Sequence, residues 1–87
     1  MTQGEREAWL RRTITRISGR PAHEVALEAD LEEAVGLDSL GRLELLAETE
    51  ERYDFLFDDE ALSTATTIGR MLRAIDRHMA DADTEPA

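Results

Sequence analysis

Apolar residues recur at helical spacing in several segments of this 87-residue chain, and no segment shows the period-two alternation of a half-buried strand. The clearest pattern lies near the end of the chain, in Ile68, Met71, Leu72, Ile75 and Met79. Steps of three and four residues bring these side chains onto one face of a helix, which can then pack against other helices. The spacing therefore predicts an all-α fold: a small four-helix bundle with three main helices and one short helix.

Cap residues and glycines locate the ends of the predicted helices. We expect a first helix that opens with the capping box Thr2-Gln3-Gly4-Glu5 and ends at Ser18-Gly19. The second helix should run from Ser39 to Arg52 or Tyr53, with Asp38 as its N-cap. A short third helix should run from Asp58-Asp59-Glu60 to about Leu62, and Thr66 should cap the fourth. Residues 63–66 then form the linker between the last two helices.

A long connection, residues 19–38, separates the first two predicted helices. Loops of this length are uncommon in a compact domain unless they are functional or anchored to the core. Five apolar residues are spaced to anchor it: Val25, Leu27, Leu31, Val35 and Leu37. A short helical turn around residues 30–35 is an open alternative to a fully irregular connection.

The length of the chain allows one small domain, which we place at residues 1–80, followed by a disordered tail at residues 81–87. The sequence contains no Cys, which excludes disulfides, thiolate metal sites and a cysteine nucleophile, and we expect no metal centre. No stretch approaches the roughly 18 consecutive apolar residues of a membrane span. We therefore expect a cytoplasmic protein, and we expect it to be monomeric.

Charge is distributed unevenly along the chain. Residues 1–20 carry five Arg against two Glu, whereas residues 28–60 carry thirteen acidic residues against two Arg. Such an acidic field repels nucleic acid and anionic membranes, and it attracts partners that present basic patches. The simpler alternative is a solvated acidic surface that only aids solubility.

The run Gly36-Leu37-Asp38-Ser39-Leu40 places a serine at the start of the second predicted helix, inside the acidic segment. A hydroxyl there lies at the positive end of a helix dipole, which favours an attached anion. A nucleophilic serine would need a general base, and nothing in the sequence ties His23 or His78 to Ser39. The run also lacks the first glycine of the Gly-x-Ser-x-Gly elbow. Plain helix capping is the simpler alternative to a functional serine.

The second predicted helix has two apolar stripes. One contains Leu45, Leu46, Thr49 and Tyr53 with Arg42 at its margin, and the other contains Leu40, Leu43 and Ala47 beside Glu44 and Glu51. A small domain needs only one buried face per helix, so we expect the second stripe to form an exposed apolar patch with an acidic rim. Such a patch is typical of a transient docking site. Burial of Leu43 beneath the long connection is the alternative.

Taken in order, these motifs resemble the signature of the acyl carrier proteins. The resemblance is carried by Gly36-Leu37-Asp38-Ser39-Leu40, Leu43-Glu44-Leu45 and Glu50-Glu51-Arg52-Tyr53, with Leu31 upstream and Asp59-Glu60 and Thr66-Thr67-Ile68-Gly69 downstream. It covers about residues 5–80 and implies a helical carrier domain that is not itself an enzyme.

The resemblance also implies a cofactor and partners. Ser39 would be esterified by 4′-phosphopantetheine taken from coenzyme A, in a reaction run by a separate phosphopantetheinyl transferase that Asp38 would assist. The thiol of this arm would then carry acyl groups as thioesters. Acyltransferase- and ketosynthase-type synthase enzymes with basic patches would dock on the second stripe and its rim, that is, on Leu40, Leu43, Glu44, Ala47 and Glu51.

Four positions depart from the family pattern. Ala34-Val35 stand where the acyl type often has Asp-Leu, Thr49 stands where a large apolar residue is usual, and Asp54 stands where Gly often follows the aromatic. Leu37 argues against the peptidyl carriers, whose motif more often reads Gly-Gly-x-Ser. We therefore expect a discrete carrier of polyketide or other specialised metabolism, or of fatty-acid synthesis. An aminoacyl or peptidyl carrier, and an acidic helical adaptor with unmodified Ser39, are the alternatives.

Overall fold

The computed structural model describes residues 3–84, with side chains for residues 4–79. The described residues contain no strand, and their five α-helices are α1 (Gln3–Ser18), α2 (Leu31–Val35), α3 (Ser39–Tyr53), α4 (Asp59–Thr64) and α5 (Ile68–Thr84). The all-α prediction is confirmed. The short α2 is the helical turn that the sequence left open within the long connection.

The core lies where α1 packs against both α3 and α5, with α4 packed against α5. Each long helix contributes the apolar stripe that its sequence predicts. Leu10 and Ile14 of α1 and Ile68, Met71 and Ile75 of α5 are completely buried. Burial of these large side chains is the main stabilising contribution to a domain of this size.

Helices α1 and α3 run antiparallel, as three contacts along their length show. Near the middle of α1, the ring of Trp9 meets the ring of Tyr53, the last residue of α3, edge to face with centroids 5.6 Å apart. Further along, Arg16 pairs with Glu48, whose hydrogen bond and negative charge raise the pKa of the Arg16 guanidinium. At the end of α1, Ile17 lies against the first turn of α3. The end of α1 and the start of α3 therefore meet at one end of the bundle.

The connection between α1 and α3 is anchored to the core by side chains. Leu31, Val35 and Leu37 are buried and Val25 is half-buried against the core, as predicted. The prediction for Leu27 is wrong, because its side chain is 36% exposed. The backbone of Leu27 makes the contact instead: its carbonyl accepts the N–H of Gly69 over 2.9 Å.

Hydrogen bonds from remote segments add to this anchoring. The Arg11 guanidinium donates through Nη1 to the carbonyls of Ala22 and Val25, each over 2.8 Å. The N–H of Leu31 donates to the carbonyl of Thr66 over 3.0 Å. The long connection is therefore fixed against α1 at one end and against the start of α5 at the other.

Two predicted boundaries differ from the structure. Helix α4 extends to Thr64, two residues past the predicted end at Leu62. The hydroxyl of Thr67 accepts the N–H of Arg70 over 3.1 Å, so Thr67 caps α5 in place of Thr66. The hydroxyl of Thr66 instead points back to the carbonyl of Thr64.

At the chain ends, α5 continues through Thr84, so residues 81–84 of the predicted tail are helical. Residues 85–87 lie outside the described residues, as does Thr2 of the predicted capping box. No helix in the described part of the chain is long and apolar enough to cross a membrane.

Candidate functional site

Helix α3 begins at Ser39 because Asp38 caps it. Asp38 has an extended backbone, and its Oδ1 accepts the N–H of Gly41 over 2.9 Å. Its carbonyl accepts the first intrahelical bond, from the N–H of Arg42 over 2.8 Å. This is the geometry of a side-chain N-cap, and it confirms the predicted role of Asp38 at the helix start. It also fixes Ser39 as the first helical residue.

Gly36 and Leu37 set the direction from which the chain enters α3. Gly36 ends α2 with a φ of 72°, a left-handed conformation that favours glycine, and its N–H donates to the carbonyls of Glu32 and Leu31. Leu37 follows with its side chain buried. Because one end of the motif is anchored in the core, the next two residues, Asp38 and Ser39, are held at the surface.

Gly41 is a site residue whose role the sequence did not indicate. A Cβ at this position would lie 2.8 Å from Cδ1 of Leu37 and 3.5 Å from Cγ2 of Ile17. The missing side chain allows Leu37 to fold beneath the first turn of α3. A glycine two residues into an otherwise leucine-rich helix is the signal that could have identified this close approach.

Ser39 is exposed, and within the described residues its hydroxyl has no hydrogen-bond partner. His23 is exposed on the long connection, and His78 stacks on Phe55 with ring centroids 4.4 Å apart. Neither histidine is bonded to Ser39 in the described part of the chain, and no triad is assembled there. The hydroxyl is accessible to another molecule but has no base in this chain.

The surroundings of Ser39 fit an attached phosphate. The first N–H groups of a helix have no acceptor inside the helix, and Asp38 takes only that of Gly41. The amides of Ser39 and Leu40 therefore stay available at the positive end of a 15-residue helix. The arrangement can stabilise the negative charge of a phosphate group attached to the Ser39 oxygen.

Ser39 also does not line the groove of about 780 Å³ that lies between α4 and α5. That groove is bordered by Glu60 and by Arg70, Arg73 and Arg77. An enzyme usually holds its reacting group inside a concave pocket. An exposed serine on a helix tip is instead suited to being presented to a partner.

The second apolar stripe of α3 is exposed. Leu40 and Leu43 are 76% and 56% exposed, so Leu43 is not covered by the long connection. Ala47, Glu44 and Glu51 are exposed on the same side of the helix. We call these five residues the α3 leucine surface. It begins next to Ser39 and runs the length of α3.

The opposite stripe of α3 is buried, as predicted. Leu45, Leu46, Thr49 and Tyr53 lie in the core. The Thr49 hydroxyl donates to the carbonyl of Leu45 over 2.7 Å, so this buried polar group is satisfied within its own helix. Thr49 therefore fills a core position without an unpaired hydroxyl.

Arg42 is the second site residue whose role the sequence did not indicate. It is partly buried, and its Nη1 donates to the carbonyl of Leu62 over 2.5 Å, linking the first turn of α3 to α4. Among the described residues, no carboxylate forms an ion pair with Arg42. The sequence placed Arg42 only at the margin of the buried stripe.

Comparison with known proteins identifies relatives of the chain. Residues 8–75 match the family model described as phosphopantetheine attachment site. An acyl carrier protein of Streptomyces coelicolor (strain ATCC BAA-471 / A3(2) / M145) is 36% identical over 64 residues. This match covers 74% of the chain and 65% of the relative, so the chain spans just under two thirds of the relative's length. The family match includes Ser39 and the whole α3 leucine surface.

Proposed function

Because this chain belongs to the acyl carrier protein family, whose domains carry a covalent 4′-phosphopantetheine, we propose that Ser39 is the residue to which the cofactor is attached. One observation carries the proposal: the Ser39 hydroxyl is exposed and unpartnered among the described residues, at the first position of a capped helix. The available amides of that helix turn favour the negative charge of a phosphodiester.

Ser39 supplies only an oxygen to this chemistry, so the chain needs no base of its own. Transfer of the arm from coenzyme A is the work of a separate phosphopantetheinyl transferase. Asp38 holds the helix start in place through Gly41, and its second carboxylate oxygen, which has no hydrogen-bond partner among the described residues, can assist the transferase. When bound, the cofactor supplies a thiol that carries acyl groups as thioesters, which this cysteine-free chain cannot provide.

The α3 leucine surface is the proposed docking site for the transferase and for acyltransferase- and ketosynthase-type synthase enzymes. Its apolar centre is Leu40, Leu43 and Ala47, and its acidic rim is Glu44 and Glu51. An apolar centre with a charged rim allows fast encounter and ready release, which a shuttling carrier needs. The net charge of −10 adds long-range attraction toward basic patches on these enzymes.

We propose that the protein is a discrete carrier in polyketide or fatty-acid biosynthesis and works in the cytoplasm, where coenzyme A is available. Leu37 supports the acyl over the peptidyl type, since peptidyl carriers more often have Gly-Gly-x-Ser at the motif. Ala34-Val35 in place of Asp-Leu supports a carrier of specialised metabolism.

Loading with an acylated arm tests the carrier function. The protein is incubated with acetyl-coenzyme A and a broad-specificity phosphopantetheinyl transferase, and its intact mass is recorded before and after neutral hydroxylamine. We expect one acetylated arm, from which hydroxylamine removes the acetyl group and leaves the arm, because thioesters react where phosphodiesters do not. An acetyl group that resists hydroxylamine would contradict a thioester carrier.

A further inference from the structure

Arg42 has an unusual electrostatic position. It is a partly buried guanidinium in the most acidic segment of the chain, yet no carboxylate of the described residues pairs with it. The other partly buried guanidinium groups, those of Arg6 and Arg11, pair with Asp76 and Glu7. A partly desolvated cation is costly unless an anion or several acceptors satisfy it. The Leu62 carbonyl takes one of its five N–H donors.

Ser39 and Arg42 share one face of α3. Residues three apart in a helix have Cβ atoms about 5–6 Å apart, and long helical side chains lean toward the helix N-terminus. A long side chain at position 42 can therefore reach the turn that contains Ser39. The bond from Nη1 of Arg42 to the Leu62 carbonyl holds the guanidinium by a contact outside α3.

We propose that Arg42 is the counter-ion of the phosphodiester on Ser39, an inference that rests on the proposed attachment at that residue. An anion at Ser39 would otherwise face the Asp38 carboxylate, which is held at the same helix start by its bond to Gly41. Arg42 offsets this repulsion. Its remaining N–H donors can bind phosphate oxygens while Nη1 stays on Leu62, so the cation links the modified residue to α4.

The test compares the apo and holo forms of two variants with the wild type. Arg42→Gln removes the charge and keeps a polar amide with N–H donors on a shorter side chain. Arg73→Gln is the matched control, because Arg73 is an exposed arginine on α5 and has no ion pair within the described residues. Intact mass first establishes that each holo sample carries one arm. The melting temperature and the ³¹P resonance of the phosphodiester are then recorded.

We expect the holo-minus-apo difference in melting temperature to fall in Arg42→Gln relative to the wild type, by on the order of a few degrees for a domain of this size. The ³¹P resonance should move in the same variant, and both quantities should be unchanged in Arg73→Gln. High salt should shrink the difference between wild type and Arg42→Gln. Equal holo-minus-apo differences and equal ³¹P resonances in all three proteins would overturn the proposal.

If apo Arg42→Gln does not fold, the proposal is tested in the wild-type protein by the NMR resonance of the Arg42 Nε–H group. The proposal requires this resonance to shift between the apo and holo forms, and an unchanged resonance overturns it. A wild-type protein that gains no arm would refute the attachment at Ser39 itself. The mass measurement therefore separates failure of the proposed function from failure of the Arg42 assignment.

Discussion

Oδ1 of Asp38 accepts a hydrogen bond from the N–H of Gly41 over 2.9 Å, across the helix turn in which Ser39 is the first residue. The bond satisfies one of the amides that a helix start leaves without an acceptor. Gly41 has no side chain to separate it from Leu37, which lies directly beneath this turn. The hydrogen bond between Asp38 and Gly41 therefore fixes both the start of α3 and the exposed position of Ser39.

Substitutions of Asp38 separate its structural role from its proposed role with the transferase. Asp38→Ala removes the cap, and we expect the free energy of unfolding to fall by about 1 kcal/mol. Asp38→Asn keeps an oxygen that can accept the Gly41 N–H, so its stability should remain close to that of the wild type. Arm loading by the transferase should nevertheless slow in Asp38→Asn, because the carboxylate charge is lost.

Asp30→Ala is the matched control for this series, since Asp30 caps α2 in the same way through the N–H of Glu33. It should lower stability and leave loading intact. Chemical denaturation measures the stability, and timed intact-mass spectra measure the loading. If Asp38→Asn is loaded at the wild-type rate, the role of Asp38 is purely structural.

Charge reversal tests the acidic rim of the α3 leucine surface. Glu44→Arg and Glu51→Arg should each slow arm loading several-fold, because they weaken attraction to basic patches on the transferase. Both side chains are exposed, so the free energy of unfolding should change by no more than about 0.5 kcal/mol.

The control for the rim is Glu24→Arg, which reverses an exposed charge on the long connection and changes the net charge equally. We expect it to load at nearly the wild-type rate. The rates of arm loading of the wild type and the three variants are compared at low and at high ionic strength. Rates that depend on neither salt nor the rim residues would refute the electrostatic part of the docking proposal.

The apolar centre of the α3 leucine surface can be tested against the core of the same helix. Leu43→Ala should raise the KM for arm loading with little change in stability, because Leu43 is largely exposed. Leu45→Ala, two residues along, empties a completely buried position and should lower the free energy of unfolding by about 2–5 kcal/mol. If Leu43→Ala loads like the wild type, Leu43 does not belong to the docking site.

The buried hydroxyl of Tyr53 gives a prediction about stability alone. This hydroxyl has no hydrogen-bond partner among the described residues, although the ring packs edge to face on Trp9. Tyr53→Phe keeps the ring contact and removes the unpaired group, so the free energy of unfolding should stay the same or rise by up to about 1 kcal/mol. Thermal unfolding measures the change. A clear loss of stability would mean that the hydroxyl has a partner in solution.

Local sequence patterns predicted the parts of the structure that depend on interactions between residues close together in the chain. The fold class, the span of α3 and the cap at Asp38 are confirmed. Helical spacing also separated the buried stripe that contains Leu45 from the exposed stripe that contains Leu40. The functional roles of Ser39 and of the α3 leucine surface stay predictions.

Features that depend on contacts between remote segments could not be predicted. Leu27 anchors the long connection through its carbonyl, which no hydrophobic pattern reveals. Gly41 matters because the side chains of Leu37 and Ile17 lie close to it. Arg42 matters because the Leu62 carbonyl of α4 lies within hydrogen-bond reach of its guanidinium. Each of these roles follows from where the helices lie in the folded protein, and the sequence near the residue does not contain that information.

The most direct test of the central claim is an intact mass of the protein after incubation with coenzyme A and a phosphopantetheinyl transferase. We predict one phosphopantetheine on the wild type, none on Ser39→Ala, and one on Ser63→Ala, which removes another exposed serine as a control. A wild-type protein that gains no mass, or a Ser39→Ala variant that is still modified, would contradict the assignment of Ser39 as the attachment residue.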